Sequence, residues 1–169
     1  MGEHICFRRN ERLATVNPHW RGNPVVRGKF VNRQHRFRPG MGSVLKWRLS
    51  PNPQRKEKKS VKWSPKLNYL RSLDGVVGNS LIWLGHNSFF LQLARKRIMF
   101  DPVFGDIPFV KRQSDFPANP DIFTDIDYLL ISHDHFDHLD KQSVARLVKN
   151  NPGMKLFCGL GTGELIKGW

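Results

Sequence analysis

The sequence predicts an α/β fold in which an antiparallel meander leads into a βαβ unit. Three apolar, strand-like runs follow one another closely between residues 80 and 100, which is the pattern of a meander. Further along, an apolar run, a helix-like segment and a second apolar run are joined by short connections. This order is typical of two parallel strands with a crossover helix.

The first 72 residues differ in composition from residues 73–169 and are predicted to be a basic arm rich in Pro, Asn and Gly. They contain 18 Lys and Arg against 3 Asp and Glu, whereas residues 73–169 contain 10 against 11. All of the net charge of +14 therefore lies in the arm. Within it we expect a short helix at residues 41–50, with Val44, Leu45 and Leu49 on one face, and an exposed linker at residues 55–60.

Two interpretations of the arm are open. It is either a partly ordered segment anchored on the following domain by its aromatic side chains, or a polybasic surface attracted to anionic lipid or nucleic acid. No recognisable nucleic-acid-binding module is present, which makes nucleic acid the less favoured partner.

The composition also bears on the cellular compartment. No apolar run approaches the roughly 18 residues that span a membrane, and the N-terminus lacks the apolar core of a secretory signal. Cys6 and Cys158 lie far apart in the sequence and are expected to be free thiols in a reducing compartment. We therefore expect a cytoplasmic chain, with peripheral attachment to a membrane through the arm.

The elements of residues 73–169 follow from local patterns. Strands are predicted at residues 80–85 and 88–93 and from residue 96 onward, and a buried strand at 126–132. Asp140 is placed to cap a helix whose Val144, Leu147 and Val148 face the core. The sequence NNPG ends that helix, and MKLFCGL predicts the next strand.

The segment SHDHFDHLD, residues 132–140, places three imidazoles and three carboxylates directly behind the predicted buried strand. Alternate residues of an extended loop point the same way, so His133 and His135 could bind one ion, and a turn would bring Asp137 and His138 to a second. Imidazole and carboxylate ligands favour Zn²⁺, with iron and manganese as alternatives. Two such ions about 3.5–4 Å apart could activate water for hydrolysis.

This H-x-H-x-D-H motif resembles the signature of the metallo-β-lactamase superfamily. The sequences WLGHNSFFLQ, FDPVF and ISHDHFDHLD are similar to the branch that contains N-acyl-phosphatidylethanolamine-hydrolysing phospholipase D and the L-ascorbate-6-phosphate lactonases. The resemblance covers residues 80–160 and, more faintly, residues 17–50. It implies the N-terminal half of an αββα sandwich.

The resemblance implies a role for each residue of the motif. His133 and His135 would bind the first metal ion, and Asp137 and His138 the second. Asp137 and His138 are also the candidate catalytic residues.

Three further side chains are implied near the metal ions without binding them. Asp101, in the DP turn, would hydrogen-bond to the metal loop and orient it. Asp134 is expected in the loop beside the ligands. His86 is expected near the site, either facing a substrate or as an ordinary partly buried histidine.

A complete site in this superfamily needs a third histidine for the first metal, a bridging aspartate and a last histidine. After His138 the sequence contains no histidine, and the only later acids are Asp140 and Glu164. We therefore expect an incomplete domain, either a fragment or one that a partner completes. Such a chain would bind zinc weakly and hydrolyse its substrate slowly or not at all.

The function predicted from these motifs is metal-dependent, phospholipase-D-like hydrolysis of a phosphodiester, with a phospholipid or a small phosphorylated molecule as substrate. A lactonase or sugar-phosphate hydrolase using the same metal pair is the first alternative. A non-catalytic basic protein that binds lipid or nucleic acid and retains a vestigial metal loop is the second. The sequence leaves the oligomeric state open.

Overall fold

The computed structural model describes residues 4–14, 17–31, 40–62, 65–108, 112 and 114–169. The chain divides into two units, residues 1–62 and 63–169. The predicted division after residue 72 followed charge rather than packing, and it remains a prediction about the basic arm. None of the described helices is long and apolar enough to cross a membrane.

The first unit contains a small antiparallel sheet that the sequence did not predict. Its strands are β1 (Cys6–Arg8), β2 (Asn23–Val26) and β3 (Lys29–Phe30), in that order. Arg27 and Gly28 connect β2 to β3 with φ angles of 50° and 78°, the conformation that a tight two-residue hairpin requires. Such short strands carry too few residues to show an alternating pattern, which is why the composition indicated only an arm.

Two helices follow in the first unit, α1 (Met41–Leu49) and α2 (Arg55–Ser60). The short helix expected at residues 41–50 is confirmed by α1, but no residue of either helix is buried. The expectation of a linker at residues 55–60 is wrong, because this segment forms α2. Arg, Lys and Glu are good helix formers, and this propensity outweighs the repulsion among the cations.

A five-stranded mixed sheet organises the second unit. The strands lie in sequence order: β4 (Ser80–Gly85), β5 (Ser88–Leu93), β6 (Lys96–Phe100), β7 (Tyr128–Ile131) and β8 (Lys155–Cys158). The first three strands pair antiparallel, whereas β7 is parallel to both β6 and β8. The predicted α/β class, with a meander leading into parallel strands, is confirmed.

The helix between β7 and β8 is α3 (Lys141–Asn150), and the core forms between it and the sheet. The register aligns Phe90, Met99 and Leu129 across three strands, and these buried side chains join Leu147 of α3 in one cluster. A 3-10 turn (Pro120–Ile122) lies between β6 and β7, and a last short helix, α4 (Thr162–Lys167), follows β8.

Three connections meet at one edge of the sheet. Because β6 and β7 are parallel, the residues that follow them, Asp101 and Ser132, lie at the same edge. The β4–β5 turn, with His86 and Asn87, lies there as well, since each antiparallel pairing reverses the chain direction. This is the edge at which α/β proteins place their ligands.

The inward face of α3 differs in one residue from the prediction. Val144 and Leu147 are buried as expected, but Val148 is 49% exposed. Val148 is four residues after Val144 and lies slightly further around the helix axis. Its side chain therefore lies beyond the surface of α3 that packs on the sheet.

We expect Leu147→Ala to lower the free energy of unfolding by about 2–5 kcal/mol, because it leaves a cavity in the core. The matched change Val148→Ala should cost less than about 1 kcal/mol, since little buried surface is lost. Urea unfolding followed by circular dichroism measures both values. Equal losses for the two variants would contradict the assigned face of α3.

Asp127 connects the beginnings of three strands. Its carboxylate accepts hydrogen bonds from Lys96 Nζ at 2.5 Å and from the Arg97 N–H at 2.9 Å, and its carbonyl accepts from the Lys155 N–H at 2.9 Å. The hydrogen bond from Lys96, together with that from Arg97, lowers the pKa of Asp127 below its usual value.

A carboxyl whose pKa is lowered by folding stabilises the fold above its unfolded pKa, and it loses that contribution as the pH falls through the folded pKa. We therefore expect Asp127→Asn to destabilise the second unit most near neutral pH, with the difference shrinking below about pH 4. Denaturant midpoints across this pH range test the expectation. Asp125→Asn, at a side chain that is 86% exposed, is the control and should change stability little at any pH.

Candidate metal centre

The predicted metal-binding motif lies in the loop between β7 and α3. The loop turns at its centre, where the N–H groups of His138 and Leu139 donate to the carbonyl of His135 at 3.0 and 2.8 Å. Leu139 is buried, and Asp140 caps α3 as predicted, accepting hydrogen bonds from the N–H and hydroxyl of Ser143. The loop is therefore anchored at its C-terminal end by a core residue and a helix cap.

Three imidazole rings lie against one another in this loop. The ring centroid of His133 lies 4.5 Å from that of His135 and 4.0 Å from that of His138. Among the described residues, no three His, Cys, Asp or Glu side chains are placed as ligands of a single ion. The prediction assigned two ligands to each ion, so this arrangement leaves it untested.

Asp101, directly after β6, connects the metal loop to the sheet. Its carboxylate accepts hydrogen bonds from the N–H and hydroxyl of Ser132 at 2.7 and 2.6 Å, and it lies 2.8 Å from His138 Nδ1. Asp101 is buried, and its φ of 40° lies in the left-handed region. With Nδ1–H donating to Asp101, His138 is the tautomer that carries its lone pair on Nε2. This tautomer can bind a metal ion through Nε2.

His86 reaches the metal loop from the β4–β5 turn. Its Nε2 lies 3.0 Å from Oδ2 of Asp137, and this hydrogen bond lowers the pKa of the Asp137 carboxyl. The φ of His86 is 50°, and its carbonyl accepts a hydrogen bond from Trp83 Nε1 at 2.8 Å. Asp137 is therefore held as a carboxylate, the form in which it can bind a metal ion.

The structure brings six of the seven predicted residues together at one edge of the sheet: His86, Asp101, His133, His135, Asp137 and His138. Asp134 lies in the same loop with its side chain exposed to solvent. Their roles as metal ligands, orienting groups and catalytic groups stay predictions.

Asn87 of the β4–β5 turn and Ser88, the first residue of β5, make contacts that the sequence did not indicate. The amide Nδ2 of Asn87 lies 2.9 Å from His138 Nε2. The buried hydroxyl of Ser88 donates to the Asp101 carbonyl at 2.8 Å and accepts from the Val103 N–H at 3.0 Å. Both residues directly follow His86 in the sequence WLGHNS, which was the only signal pointing to them.

Arg112 attaches the loop after β6 to the end of β4. Its guanidinium donates to the carbonyls of Val103 at 3.0 Å and Leu84 at 3.2 Å, and burial lowers its pKa. Gly85 has a φ of 98°, and a Cβ at this position would lie 2.7 Å from Arg112 Nη2. Glycine therefore satisfies both the backbone angle and the close approach of the guanidinium.

An open cavity of about 300 Å³ lies along β4 beside this turn. Leu81, Trp83 and Gly85 line one side, and residues 65–68, with Ser114, Asp115 and Pro117, line the rest. Its lining reaches Gly85, the residue before His86, and combines apolar and polar side chains.

The donor set fits a transition-metal ion. Imidazole nitrogens and a carboxylate are the ligands that Zn²⁺, iron and manganese accept, and Asp101 orients one imidazole as such sites require. An α/β domain that gathers these groups at the ligand-binding edge of its sheet belongs to the class of candidate metal-dependent enzymes.

Residues 96–169 match the family model described as "Beta-lactamase superfamily domain". The resemblance predicted from the H-x-H-x-D-H motif is confirmed by this match.

Two curated relatives extend this result. N-acyl-phosphatidylethanolamine-hydrolyzing phospholipase D 1 of Caenorhabditis elegans is 28% identical over 160 residues, which cover 85% of this chain and 45% of that protein. A UPF0173 metal-dependent hydrolase of Sulfolobus acidocaldarius is 36% identical over 78 residues, which cover 46% of this chain and 31% of that protein. The chain thus spans less than half the length of either relative.

A solved structure from Parabacteroides distasonis is similar to 53% of this chain and 34% of that chain. Its sequence identity is 20% and its TM-score 0.42, and a likeness this distant carries no argument about the site.

Replacing Asp101 with Asn tests how the metal loop is held. Asn tolerates the positive φ, but its amide has one oxygen, so it cannot accept both from the Ser132 N–H at the Oδ1 position and from His138 Nδ1 at the Oδ2 position. We expect His138 to lose its preference for the Nδ1–H tautomer, visible in ¹⁵N spectra of the ring, and zinc affinity to fall about 10–100-fold. Asp134→Asn, on an exposed side chain, should alter neither; an unchanged tautomer in Asp101→Asn would contradict the assignment.

Proposed function

We propose that this protein is a metal-dependent hydrolase that cleaves a phosphodiester bond of a phospholipid, as a phospholipase D does. The observation that carries the proposal is the cluster at the sheet edge, where Asp101 orients His138 and His86 orients Asp137. The match of residues 96–169 to the beta-lactamase superfamily model supports hydrolysis as the reaction.

In the proposed site His133 and His135 bind one zinc ion, and Asp137 and His138 bind the second. The contacts between the His133 ring and the rings of His135 and His138 support one shared site for the three imidazoles. Iron or manganese would accept the same donors. When bound, the metal ions would supply positive charge for the phosphate oxygens and would lower the pKa of a reacting water.

The residues around the proposed ligands have separate tasks. His86 donates from Nε2 to Asp137 and so fixes the direction of that carboxylate. The Asn87 amide lies 2.9 Å from His138 Nε2, so a metal ion bound at that nitrogen would displace it.

A phospholipid is the substrate that the similarity supports best. The Caenorhabditis elegans relative is named for the hydrolysis of an N-acylated phospholipid, and it aligns with most of this chain. The cavity along β4, with Leu81 and Trp83 in its lining, offers apolar surface beside the turn that carries His86.

One observation favours a second candidate substrate. The Sulfolobus acidocaldarius relative is more similar over its shorter range, and its name specifies a metal-dependent hydrolase without a lipid. The alternative predicted from the sequence, a phosphorylated lactone or sugar phosphate hydrolysed by the same pair of ions, is compatible with this relative.

Zinc titration by calorimetry tests the proposed ligands. We expect the chain to bind zinc weakly, and His133→Ala or His135→Ala to reduce the affinity at least about ten-fold, since each removes one of two ligands for an ion. His19→Ala removes an exposed histidine from the first unit and should leave the affinity unchanged. Zinc binding that survives both changes in the motif would rule out the proposed site.

Hydrolysis assays distinguish between the two candidate substrates. The chain, loaded with zinc, is incubated with N-acyl-phosphatidylethanolamine in mixed micelles or with a phosphorylated lactone, and the products are identified by mass spectrometry. We expect slow release of phosphatidic acid and N-acylethanolamine by the chain and by His19→Ala, and none by His133→Ala. Turnover of the lactone alone would establish the alternative.

A further inference from the structure

Residues 40–62 of the first unit form a segment in which every residue is exposed. Within it, α1 has nine residues, no side-chain cap at its N-terminus and no buried residue. Helices shorter than about 12–15 residues are marginal in water without tertiary packing. In the described part of the chain, α1 therefore lacks the apolar contact that normally stabilises a helix of this length.

The helix α1 nevertheless carries large apolar side chains. Five of its nine residues are between 45% and 83% exposed: Met41, Val44, Leu45, Trp47 and Leu49. At about 100° per residue they cover an arc of about 200° around the helix. Arg48 falls inside this arc, and its long stem allows the guanidinium to reach out of an apolar layer. Clustered exposed apolar surface of this kind usually marks an interaction site.

The same segment is strongly basic. It contains one acidic residue, Glu57, against seven cations: Lys46, Arg48, Arg55, Lys56, Lys58, Lys59 and Lys62. Four of these belong to α2, none of whose residues is buried. A partner that matches the segment must therefore offer negative charge and an apolar layer close together.

We propose that residues 40–62 bind the surface of an anionic membrane. α1 lies in the interface and inserts Met41, Leu45 and Leu49, which are spaced four residues apart on one face, among the acyl chains. The cations of α2 contact the lipid headgroups. Nucleic acid would neutralise the cations but has no apolar layer for the leucines of α1, so charge and apolarity together favour lipid.

Vesicle binding by the 169-residue chain tests this proposal without metal and without turnover. Vesicles of phosphatidylcholine alone are compared with vesicles that also contain phosphatidylserine, at physiological salt. We expect at least ten-fold tighter binding to the anionic vesicles. The triple change Lys56→Gln, Lys58→Gln and Lys59→Gln should weaken it on the order of 100-fold, about five-fold for each cation.

The apolar contribution is tested separately. Leu45→Ala with Leu49→Ala should weaken binding at least about ten-fold, because each leucine loses three carbons from the membrane. Both leucines are exposed in the structure, and circular dichroism is used to show that the variant retains the parent fold.

The matched control removes the same charge from the second unit, by Lys141→Gln, Lys149→Gln and Lys155→Gln, and should change vesicle binding less than two-fold. Equal weakening by the two triple variants would show that net charge alone acts and would overturn the proposal. So would tighter binding to duplex RNA than to vesicles, or a dimer in light scattering that the leucine changes dissociate. Hydrolysis of micellar lipid does not depend on binding to vesicles. The membrane proposal can therefore fail while the proposed function stands.

Discussion

The geometry of the candidate metal centre depends on the buried carboxylate of Asp101. A buried carboxylate is costly unless hydrogen bonds replace its hydration, and here they come from Ser132 and His138 in the metal loop. The backbone of the same residue bonds to two other strands, with its N–H donating to Leu130 and its carbonyl accepting from Ser88. One residue thus joins β5, β7 and the metal loop, and the directions of the loop side chains follow from that junction.

The charged residues are arranged differently in the two units of the chain. The second unit is close to neutral, and its charged groups are used in specific pairs, such as His86 with Asp137 and Lys96 with Asp127. The first unit holds most of the excess cations, and in residues 40–62 they are exposed without a matching set of acids. Short-range hydrogen bonding shapes the site, whereas the long-range field comes from the basic unit.

The predictable features were those that are local in the sequence. The strands of the meander, the cap at Asp140 and the motif around His133 are contiguous, so pattern and spacing identify them. Contacts set by strand register, such as that of Ser88 with Asp101, leave no local signature. The sheet of the first unit was missed because its strands are so short. The helix α2 was missed because a run of charged residues is typical of an exposed linker, although Arg, Lys and Glu also favour a helix.

His86 and Asp101 share an unusual backbone conformation, with φ angles of 50° and 40°. A side chain in the left-handed region costs about 1–2 kcal/mol, which glycine would avoid. Both residues instead keep side chains that hold members of the metal loop, so strain is retained where it coincides with orientation of the site. Glycine at either position would relieve the backbone strain but would also remove the hydrogen bonds of that side chain, so the strain cannot be removed without giving up a support of the metal loop.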